Sequence, residues 1–501
     1  MGAKKKFEFP TAITVLFIVI IFAAVLTWIV PAGQFAKLTY NAETTMFEVA
    51  YPDGSVQEME ATQESLDELG VTGNLDKFLD GSLYKPVAVP GTYEEVEPAP
   101  QGFFEVLMAP ISGVYETIDI ILFVFILGGM IGVLNYMGAF TAAIASLSKI
   151  TKGKEYILVI LITIIIAAGG TTFGLAEETI ALYPILVPVF LAAGYDVMVC
   201  IAAIYMGSSI GTMFGTVNPF SIGNAANAAG IAVADGMGIR AFGLVAATLI
   251  TIIYILNYGK KVKADPTKSI CFEDYDHHME KFGTGSEIPK FTTAMKVSLS
   301  IFGLTFAVLV WGLVTSGWWF DYMTMLFLGS SILLAFTCGL GEKEFMNQFI
   351  GGAAELMSVA LVVGVARGIG ITLENGLISD SILNYFSGLV AGMSPVVFIL
   401  VMLVIFIILG FFISSSSGLA VLSIPIMAPL ADTVGIPREA IISAYVFGQG
   451  LISFITPSGL ILATLAMVDV SYDKWLKFIM PLMGIIAAFS ALLLVGQVAL
   501  F

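Results

Sequence analysis

The sequence has little of the charge, histidine and cysteine on which soluble enzymes depend. Only 12% of its 501 residues are charged, about half the usual share of a soluble domain, whereas 58% are hydrophobic. The two histidines, His277 and His278, are adjacent in a polar stretch, and the three cysteines lie far apart without a CxxC pair. This scarcity excludes a histidine-based centre inside the membrane and a disulfide framework. The composition predicts a polytopic membrane protein, which is a channel, a transporter or a scaffold.

The charge balance and the missing motifs narrow the function further. With 22 basic against 38 acidic residues the net charge is −16, which argues against nucleic acid as a partner. A nucleotide-binding loop and a His/Cys metal cluster are absent from the sequence. We therefore predict that the protein is not an enzyme, and that it has no catalytic residue, no metal and no cofactor.

Long apolar runs indicate the membrane crossings. The first, from Pro10 to Pro31, follows Lys4, Lys5 and Lys6, and it is too long for a signal peptide. Residues 32–102 hold 13 acidic residues and three lysines, which suits the outer face, whereas the lysine-rich segment 259–291 suits the cytoplasm. The sequence thus predicts a multi-pass protein of the bacterial inner membrane, with its N-terminus in the cytoplasm.

An internal repeat is the strongest signal in the sequence. YPILVP at 183–188 matches IPIMAP at 424–429, and Gly194/Gly435 and Gly207/Gly448 are separated by the same 241 positions. Lysines precede the first copy (Lys149, Lys152, Lys154) but follow the second (Lys474, Lys477), so the basic cluster has changed ends. Under the positive-inside rule, the two repeats are inverted relative to one another.

Each repeat contains an apolar run that is too long for one crossing and is interrupted in the middle. The runs at 156–193 and 396–432 are broken by GGTTFG (169–174) and by SSSSG (414–418), and the following helix is interrupted at 215–219 and at 453–459. Irregular backbone at such depth is tolerated where it lines a cavity. We predict an all-α polytopic fold of two inverted-topology repeats, each with a re-entrant hairpin and a discontinuous helix. The predicted segments are the N-terminal tail with the first helix (1–31), the extracytoplasmic acidic loop (32–102), the first repeat (103–258), the cytoplasmic linker (259–291) and the second repeat (292–501).

Three charged residues fall within the apolar runs. Glu177 and Glu178 follow the first hairpin tip, and Arg367 lies in VVGVARGIGI. Each costs at least ~2.5–3.5 kcal/mol at the centre of a lipid-exposed helix, so these side chains are expected to face protein or water. One interpretation is that the glutamates bind a cationic group of a solute and that Arg367 binds a carboxylate. The alternative is that Arg367 pairs with Glu177 or Glu178 and holds the two repeats together.

The motifs TTFGLAEETIALYPILVP, GSSIGTMFGTVNPFS, SSSSGLAVLSIPIMAPLAD and FITPSG resemble the YfcC-like family over nearly the whole chain. That family is also described as C4-dicarboxylate anaerobic carrier-like, includes ArcD-type arginine/ornithine antiporters, and belongs to the ion transporter superfamily. The resemblance implies a transport domain that moves like an elevator past a scaffold, and superfamily relatives are commonly dimers. The solute-contacting residues that it implies are Thr171, Thr172, Asn218, Ser414, Ser415, Ser416, Ser417, Thr456 and Ser458.

The sequence is compatible with two functions. The adjacent glutamates favour an exchanger of basic amino acids such as arginine and ornithine, which requires no coupling ion. In this hypothesis the scaffold comprises helices near 10–31, 240–258, 292–313 and 477–499. The alternative is a C4-dicarboxylate or tricarboxylate carrier coupled to Na⁺ or H⁺, with Arg367 as its anion anchor. The expected partners are a small-molecule substrate, the lipid bilayer and a second copy of the chain.

Overall fold

A computed structural model describes residues 10–81, 83, 85–143, 153–283, 290–316, 318, 320–390 and 393–499. In these ranges the chain is mostly helical, and eight helices are long and apolar enough to cross a membrane. The prediction of a multi-pass protein is confirmed at that level. Lys4, Lys5, Lys6, Lys149 and Lys152, on which the predicted orientation partly rests, lie outside the described residues.

The helices and strands follow one another along the chain. The strands are β1 (Gly33–Gln34), β2 (Lys37–Asn41), β3 (Met46–Ala50), β4 (Val56–Glu60), β5 (Val87–Ala88) and β6 (Glu94–Glu95). The helices are α1 (Ala12–Leu26), α2 (Gln63–Glu68), α3 (Leu75–Leu79), α4 (Phe103–Glu116), α5 (Ile118–Tyr136), α6 (Tyr156–Phe173), α7 (Tyr183–Ala192), α8 (Val197–Ile201), α9 (Gly207–Met213), α10 (Asn224–Ala229), α11 (Met237–Ala264), α12 (Tyr275–Phe282), α13 (Thr293–Ser316), α14 (Phe320–Thr337), α15 (Glu342–Glu355), α16 (Met357–Asn375), α17 (Ser379–Leu389), α18 (Pro395–Phe412), α19 (Ser416–Thr433), α20 (Arg438–Ser453), α21 (Ile461–Met467) and α22 (Tyr472–Ala499).

The second half of the chain repeats the helix order of the first. Helices α4 and α15 both have 14 residues, α5 and α16 have 19, α6 and α18 have 18, and α11 and α22 have 28. The contacts are reciprocal, because α4 packs on α16 while α5 packs on α15. Thus α4 packs on the counterpart of α5, and α5 packs on the counterpart of α4. The orientation of the two halves in a membrane stays a prediction.

The helices form two contact groups. Group A comprises α1, α4, α5 and α13–α16, and group B comprises α6–α11, α18–α20 and α22. The predicted scaffold of four helices is wrong as a contact group, because α1 and α13 belong to group A whereas α11 and α22 pack on each other in group B. The sequence showed that these four helices are uninterrupted, but not which partners they pack against.

Glycines bring the helices of group A into backbone contact. A Cβ atom on Gly113 of α4 would lie 2.1 Å from the carbonyl oxygen of Gly364 in α16. A Cβ on Gly352 of α15 would lie 2.3 Å from the carbonyl oxygen of Gly128 in α5. Small residues at such crossings let two helices approach closely, which is how membrane helices gain packing energy without a hydrophobic driving force between them. These crossings join the two halves of the chain.

The segment predicted as an acidic loop folds into a β domain, defined here as residues 33–95. Its antiparallel sheet has the order β4-β3-β2-β5, and β1 pairs with β6. Phe47 and Val49 alternate with outward residues along β3 and pack on a core that also contains Phe78 and Val421, the latter from α19. The all-α fold class is therefore wrong for this segment. Alternating apolar residues between the acidic ones form the sheet.

The β domain and the linker lie at opposite ends of α11. Thr72 of the β domain donates through Oγ1 to the carbonyl of Ala228 (2.8 Å), close to the start of α11, whereas Lys263 near its end pairs with Glu155 (3.2 Å). A helix of 28 residues is about 42 Å long, which is enough to cross a bilayer. That the two polar segments are on different sides of the membrane stays a prediction.

The linker is folded against the end of α21. His278 is buried with Nε2 at 3.3 Å from the backbone oxygen of Asp469, while the exposed neighbour His277 lies 3.0 Å from the Asp469 carboxylate. Burial lowers the pKa of His278 below its ordinary value, against the opposing effect of Asp274 and Asp469. The folded protein thus binds a proton at this imidazole less readily than an unfolded chain does.

Acidification is therefore expected to destabilise the linker through His278. Because the folded pKa is depressed, stability is lost as the pH falls through about 6.5. We expect the melting temperature in detergent to fall between pH 7.5 and 5.5 by about 2 °C more in the wild type than in His278→Asn. Because the charge of His277 also lowers the pKa of His278, His277→Asn should reduce the pH effect only in part. An equal fall in the wild type and in His278→Asn would contradict this prediction.

Candidate functional site

A cavity of about 860 Å³ lies between the two helix groups. In group B, the segments that follow α6, α9, α18 and α20 line the cavity. Group A contributes α4, α5 and α16, and the β domain contributes Gly33, Gln34, Lys37 and Lys85. The cavity is therefore walled by unwound chain from both halves, which is the setting in which irregular backbone is tolerated at membrane depth.

The structure brings most of the predicted site residues to this cavity. Those that line it are Glu177, Glu178, Asn218, Arg367, Ser414, Ser415, Ser416, Ser417, Thr456 and Ser458. Thr171 and Thr172 do not line it. Thr171 Oγ1 accepts a hydrogen bond from the backbone N–H of Thr216 (2.9 Å), and Thr172 Oγ1 donates to the carbonyl of Ala168 (2.7 Å). The two threonines therefore bond to the backbone, and contact of any of the twelve residues with a solute stays a prediction.

The first interruption lies later in the chain than predicted. Helix α6 continues through the Gly-Gly-Thr-Thr motif, because glycine allows close packing on α9: a Cβ on Gly170 would lie 2.7 Å from the carbonyl oxygen of Ser208. Gly174, with φ at +76°, ends the helix in the left-handed region. Ser208 donates from its hydroxyl to the freed carbonyl of Leu175. The chain then continues to Glu177 beside the cavity.

Glu177 and Glu178 begin a short 3₁₀ helix (Glu177–Leu182) on the wall of the cavity. Both side chains are half-buried, and Glu178 Oε2 accepts the backbone N–H of Ala176 (3.0 Å). Among the ion pairs within the described residues, none involves either glutamate. Two adjacent carboxylates in a partly enclosed space, with no cation paired to them there, are suited to binding a positive group.

Arg367 pairs with carboxylates of group A. Its Nε donates to Glu116 Oε2 (2.7 Å), and its Nη1 and Nη2 donate to the two carboxylate oxygens of Glu374 (2.9 and 3.1 Å). The alternative that Arg367 pairs with Glu177 or Glu178 is therefore wrong. Glu116 is 251 positions from Arg367 in the sequence, so the sequence did not indicate that the two residues pair. With three of its N–H groups engaged, Arg367 ties α4 to α16.

The second interruption is the serine tip, defined as Ser414 to Ser417. Helix α18 ends at Phe412, and Ser415 caps α19 by accepting the backbone N–H of Gly418 through its Oγ (3.2 Å). Tyr445 donates from its hydroxyl to the carbonyl of Ser416 (2.6 Å). Lys85 of the β domain donates from Nζ to Ser417 Oγ (2.7 Å). The tip therefore combines hydroxyls with a cation that comes from outside the helix bundle.

Asn218 and Thr456 mark the interruptions that follow α9 and α20. Asn218 Oδ1 accepts the N–H of Phe220 (2.9 Å), and its Nδ2 donates to the carbonyl of Gly170 (3.2 Å). Thr456 Oγ1 and Ser458 Oγ are 2.8 Å apart. The side-chain amide thus connects the interruption after α9 to the end of α6.

Cationic and aromatic donors satisfy the carbonyls freed at these two interruptions. The buried Arg240 donates from Nε to Gly215 O (2.9 Å) after α9. After α20, the hydroxyl of Tyr205 donates to Ser453 O (2.7 Å) and Nε1 of Trp475 donates to Phe454 O (2.8 Å). Unwound backbone inside a protein needs such partners.

The charge on the cavity wall is mainly negative. The lining includes six carboxylates and three cations, and the six charged residues that the prediction had not included among site residues are Lys37, Lys85, Glu116, Asp119, Glu374 and Asp380. Asp380 pairs with Lys37 of the β domain (2.9 Å). Nothing in the composition of the acidic segment distinguishes Lys37 or Lys85 from its other residues. Both line the cavity because the β domain packs against the helices.

The described part of the chain has no group of three or more His, Cys, Asp or Glu side chains able to hold a metal ion. The absence of a metal and of a cofactor stays a prediction, and coupling to Na⁺ or H⁺ stays an alternative.

The model of the family described as C4-dicarboxylate anaerobic carrier (DcuC) matches residues 9–499. An uncharacterized protein of Haemophilus influenzae is 46% identical over 99% of this chain and 98% of its own length. The Escherichia coli protein named "Putative basic amino acid antiporter YfcC" is 28% identical over 98% of this chain and 97% of its own.

Two solved structures also align with the chain, the YdaH transporter of Alcanivorax borkumensis and MtrF of Neisseria gonorrhoeae. They cover 98% of this chain and 99% and 95% of their own, at 14% and 15% identity, each with a TM-score of 0.40. The resemblance inferred from the sequence motifs is confirmed by the family match, and membership in a transporter family argues against an enzyme. The chain belongs to the C4-dicarboxylate anaerobic carrier family of membrane transporters.

Proposed function

We propose that the protein exchanges basic amino acids, of the arginine and ornithine type, across the bacterial inner membrane. The observation that carries the proposal is the pair Glu177 and Glu178, two carboxylates on the cavity wall that take part in none of the ion pairs among the described residues. A guanidinium or ammonium group of a solute would neutralise them. The name of the Escherichia coli relative, which refers to antiport of basic amino acids, supports the same substrate class.

A basic amino acid has a cationic side chain at one end and an α-carboxylate near the other. The cavity wall likewise has an acidic part and a part lined with hydroxyl groups. The cationic end would bind at Glu177 and Glu178, and the α-carboxylate would bind at the serine tip, where hydroxyl groups face the cavity. Asn218, Thr456 and Ser458 would supply further polar contacts from the interrupted helices. Small side chains at these positions let a solute approach the backbone closely.

Transport would proceed by an elevator movement of group B past group A. The two hairpin segments and the interruption after α9 belong to group B, whereas Arg367 and its carboxylate partners belong to group A. The cavity between the groups is where a carried solute would sit. The inverted orientation of the repeats, the cytoplasmic N-terminus and a homodimer are further parts of this proposal.

Counterflow in proteoliposomes tests the proposed exchange. Vesicles loaded with unlabelled ornithine should take up labelled arginine at least tenfold faster than vesicles loaded with buffer, without a sodium or proton gradient. In an exchanger only the loaded carrier crosses easily, so internal substrate is required. Equal uptake into both vesicle types would contradict the proposal.

The second candidate is a C4-dicarboxylate or tricarboxylate carrier coupled to Na⁺ or H⁺. The description of the matching family favours it, as does the ammonium of Lys85 at the serine tip. Against it stands Arg367, the predicted anion anchor, because Glu116 and Glu374 already accept hydrogen bonds from its guanidinium. Uptake of succinate driven by a sodium or proton gradient, without arginine exchange, would identify this function.

A further inference from the structure

Lys85 is the feature of the cavity that the proposed function leaves unexplained. It belongs to the β domain, between α3 and β5, yet its side chain reaches the cavity and donates to Ser417 Oγ at 2.7 Å. Ser417 is buried, and its hydroxyl is part of the serine tip of group B. A residue from outside the helix bundle thus contributes a positive charge to the candidate binding site.

Packing of the β domain fixes this lysine in place. Strand β5, which follows Lys85 closely, packs on α19, and Val421 of α19 completes the apolar core around Phe78 and Val87. On the other side of the domain, Tyr93 donates from its hydroxyl to Ser381 Oγ (3.1 Å). The β domain that carries Lys85 is therefore docked against α17 and α19.

The surroundings of Lys85 favour a negative ligand. Burial lowers the pKa of Lys85, and the charge of Arg367 lowers it further, while Glu374 acts in the opposite direction. Both carboxylate oxygens of Glu374, however, already accept hydrogen bonds from Arg367 at 2.9 and 3.1 Å. A carboxylate brought by a solute would offset the burial of the ammonium and its repulsion by the guanidinium.

Hydrogen-bond chemistry leads to the same ligand. An ammonium group has three N–H donors, and a serine hydroxyl that accepts one of them still has its own O–H to donate. Lys85 and Ser417 both line the cavity, so one carboxylate group could contact the ammonium and the hydroxyl together. Charge-assisted hydrogen bonds of this kind are about twice as strong as neutral ones.

We propose that Lys85 is a specificity-determining residue that binds the carboxylate of the transported amino acid at the serine tip. This inference rests on the proposed function, in which Glu177 and Glu178 bind the cationic end of the same substrate. The β domain is then part of the binding site, and the protein distinguishes an amino acid from the corresponding amine by means of a residue that lies outside its membrane helices.

Two inhibitors that differ only in the carboxylate test the inference. Arginine and its decarboxylated form, agmatine, would compete with labelled ornithine for uptake by the intact protein in loaded proteoliposomes. In Lys85→Gln we expect the arginine concentration for half-inhibition to rise at least tenfold, and that for agmatine to change less than twofold. Lys85→Arg, which keeps the positive charge, should recover most of the affinity for arginine. Lys77→Gln, in the same domain but exposed and paired with Asp80, is the matched control and should leave both values unchanged.

Each outcome of the inhibition experiment either supports or contradicts the assignment of Lys85. Equal weakening of arginine and agmatine in Lys85→Gln would show that the lysine only supports the fold, and stronger inhibition by arginine would show that Lys85 competes with the substrate; either result overturns the inference. If the wild type transports succinate and no basic amino acid, the proposed function fails. The assignment of Lys85 then stands only if Lys85→Gln weakens succinate binding tenfold. Thermal shift of each variant in detergent verifies that it is folded.

Discussion

Replacement of Glu178 by glutamine is expected to lower ornithine-driven arginine uptake about 30-fold. Glutamine has the same shape, and its side-chain oxygen can still accept the N–H of Ala176, so the 3₁₀ turn is retained while the charge is lost. Loss of one partner from a partly enclosed charge pair costs about 2 kcal/mol or more, and 1.4 kcal/mol corresponds to a tenfold change. The measurement is the initial rate of labelled arginine uptake at subsaturating concentration.

Glu60→Gln is the control for this experiment, because Glu60 is an exposed carboxylate at the end of β4 and is not among the residues that line the cavity. It should transport at the wild-type rate. Glu177→Gln tests whether the two carboxylates share the cation, in which case each single variant loses activity and the double variant loses it completely. Unchanged uptake in all three Glu177 and Glu178 variants would remove the basis for a cationic substrate.

Gly352→Ala is expected to destabilise the protein, whereas Gly351→Ala, one residue earlier, should leave it unchanged or stabilise it. The new methyl group at 352 would lie 2.3 Å from the carbonyl oxygen of Gly128 and 2.7 Å from Cα of Gly132, so α15 and α5 must separate. Forcing extra atoms into such a contact costs about 1–3 kcal/mol and more where backbone must move. At 351 nothing lies within 4 Å, and alanine is favoured over glycine in a helix by about 1 kcal/mol.

The difference between these two variants is measured as the melting temperature in detergent. We expect Gly352→Ala to fall on the order of 5 °C below Gly351→Ala. Both changes add the same methyl group to the same helix, so the comparison isolates the crossing of α15 with α5. Equal melting temperatures would mean that the two helices are not in backbone contact.

The sequence predicted those features that depend on local composition. Interruptions of apolar runs by Gly, Ser and Pro predicted the four unwound segments. Charged residues within the apolar runs pointed to Glu177 and Glu178, which line the cavity. The first interruption was placed too early, because glycines in a membrane helix serve close packing as well as breaks. Gly170 packs on α9, and of the three glycines in this motif only Gly174 adopts a left-handed conformation.

Features that depend on long-range packing were missed. Glu116 pairs with Arg367 across 251 positions, and Lys85 reaches Ser417 across 332. The sheet of the β domain was overlooked because acidic residues dominate its composition, although Phe47 and Val49 alternate as a half-buried strand requires. No local pattern indicates which hydrophobic core a distant residue such as Val421 will join.

Val421 gives the second hairpin a preferred resting position. Its side chain is buried in the core of a domain whose two ends are tied by short segments to α1 and α4, so the hairpin cannot travel far without withdrawing it. Exposing a buried valine costs about 1.5 kcal/mol, and the hydrogen bond between Lys85 and Ser417 adds about 1 kcal/mol. Together these favour the docked arrangement roughly fiftyfold over an undocked one. The proposed movement of this segment past group A would therefore require Val421 to leave the core of the β domain, and that step would contribute to the time of each transport cycle.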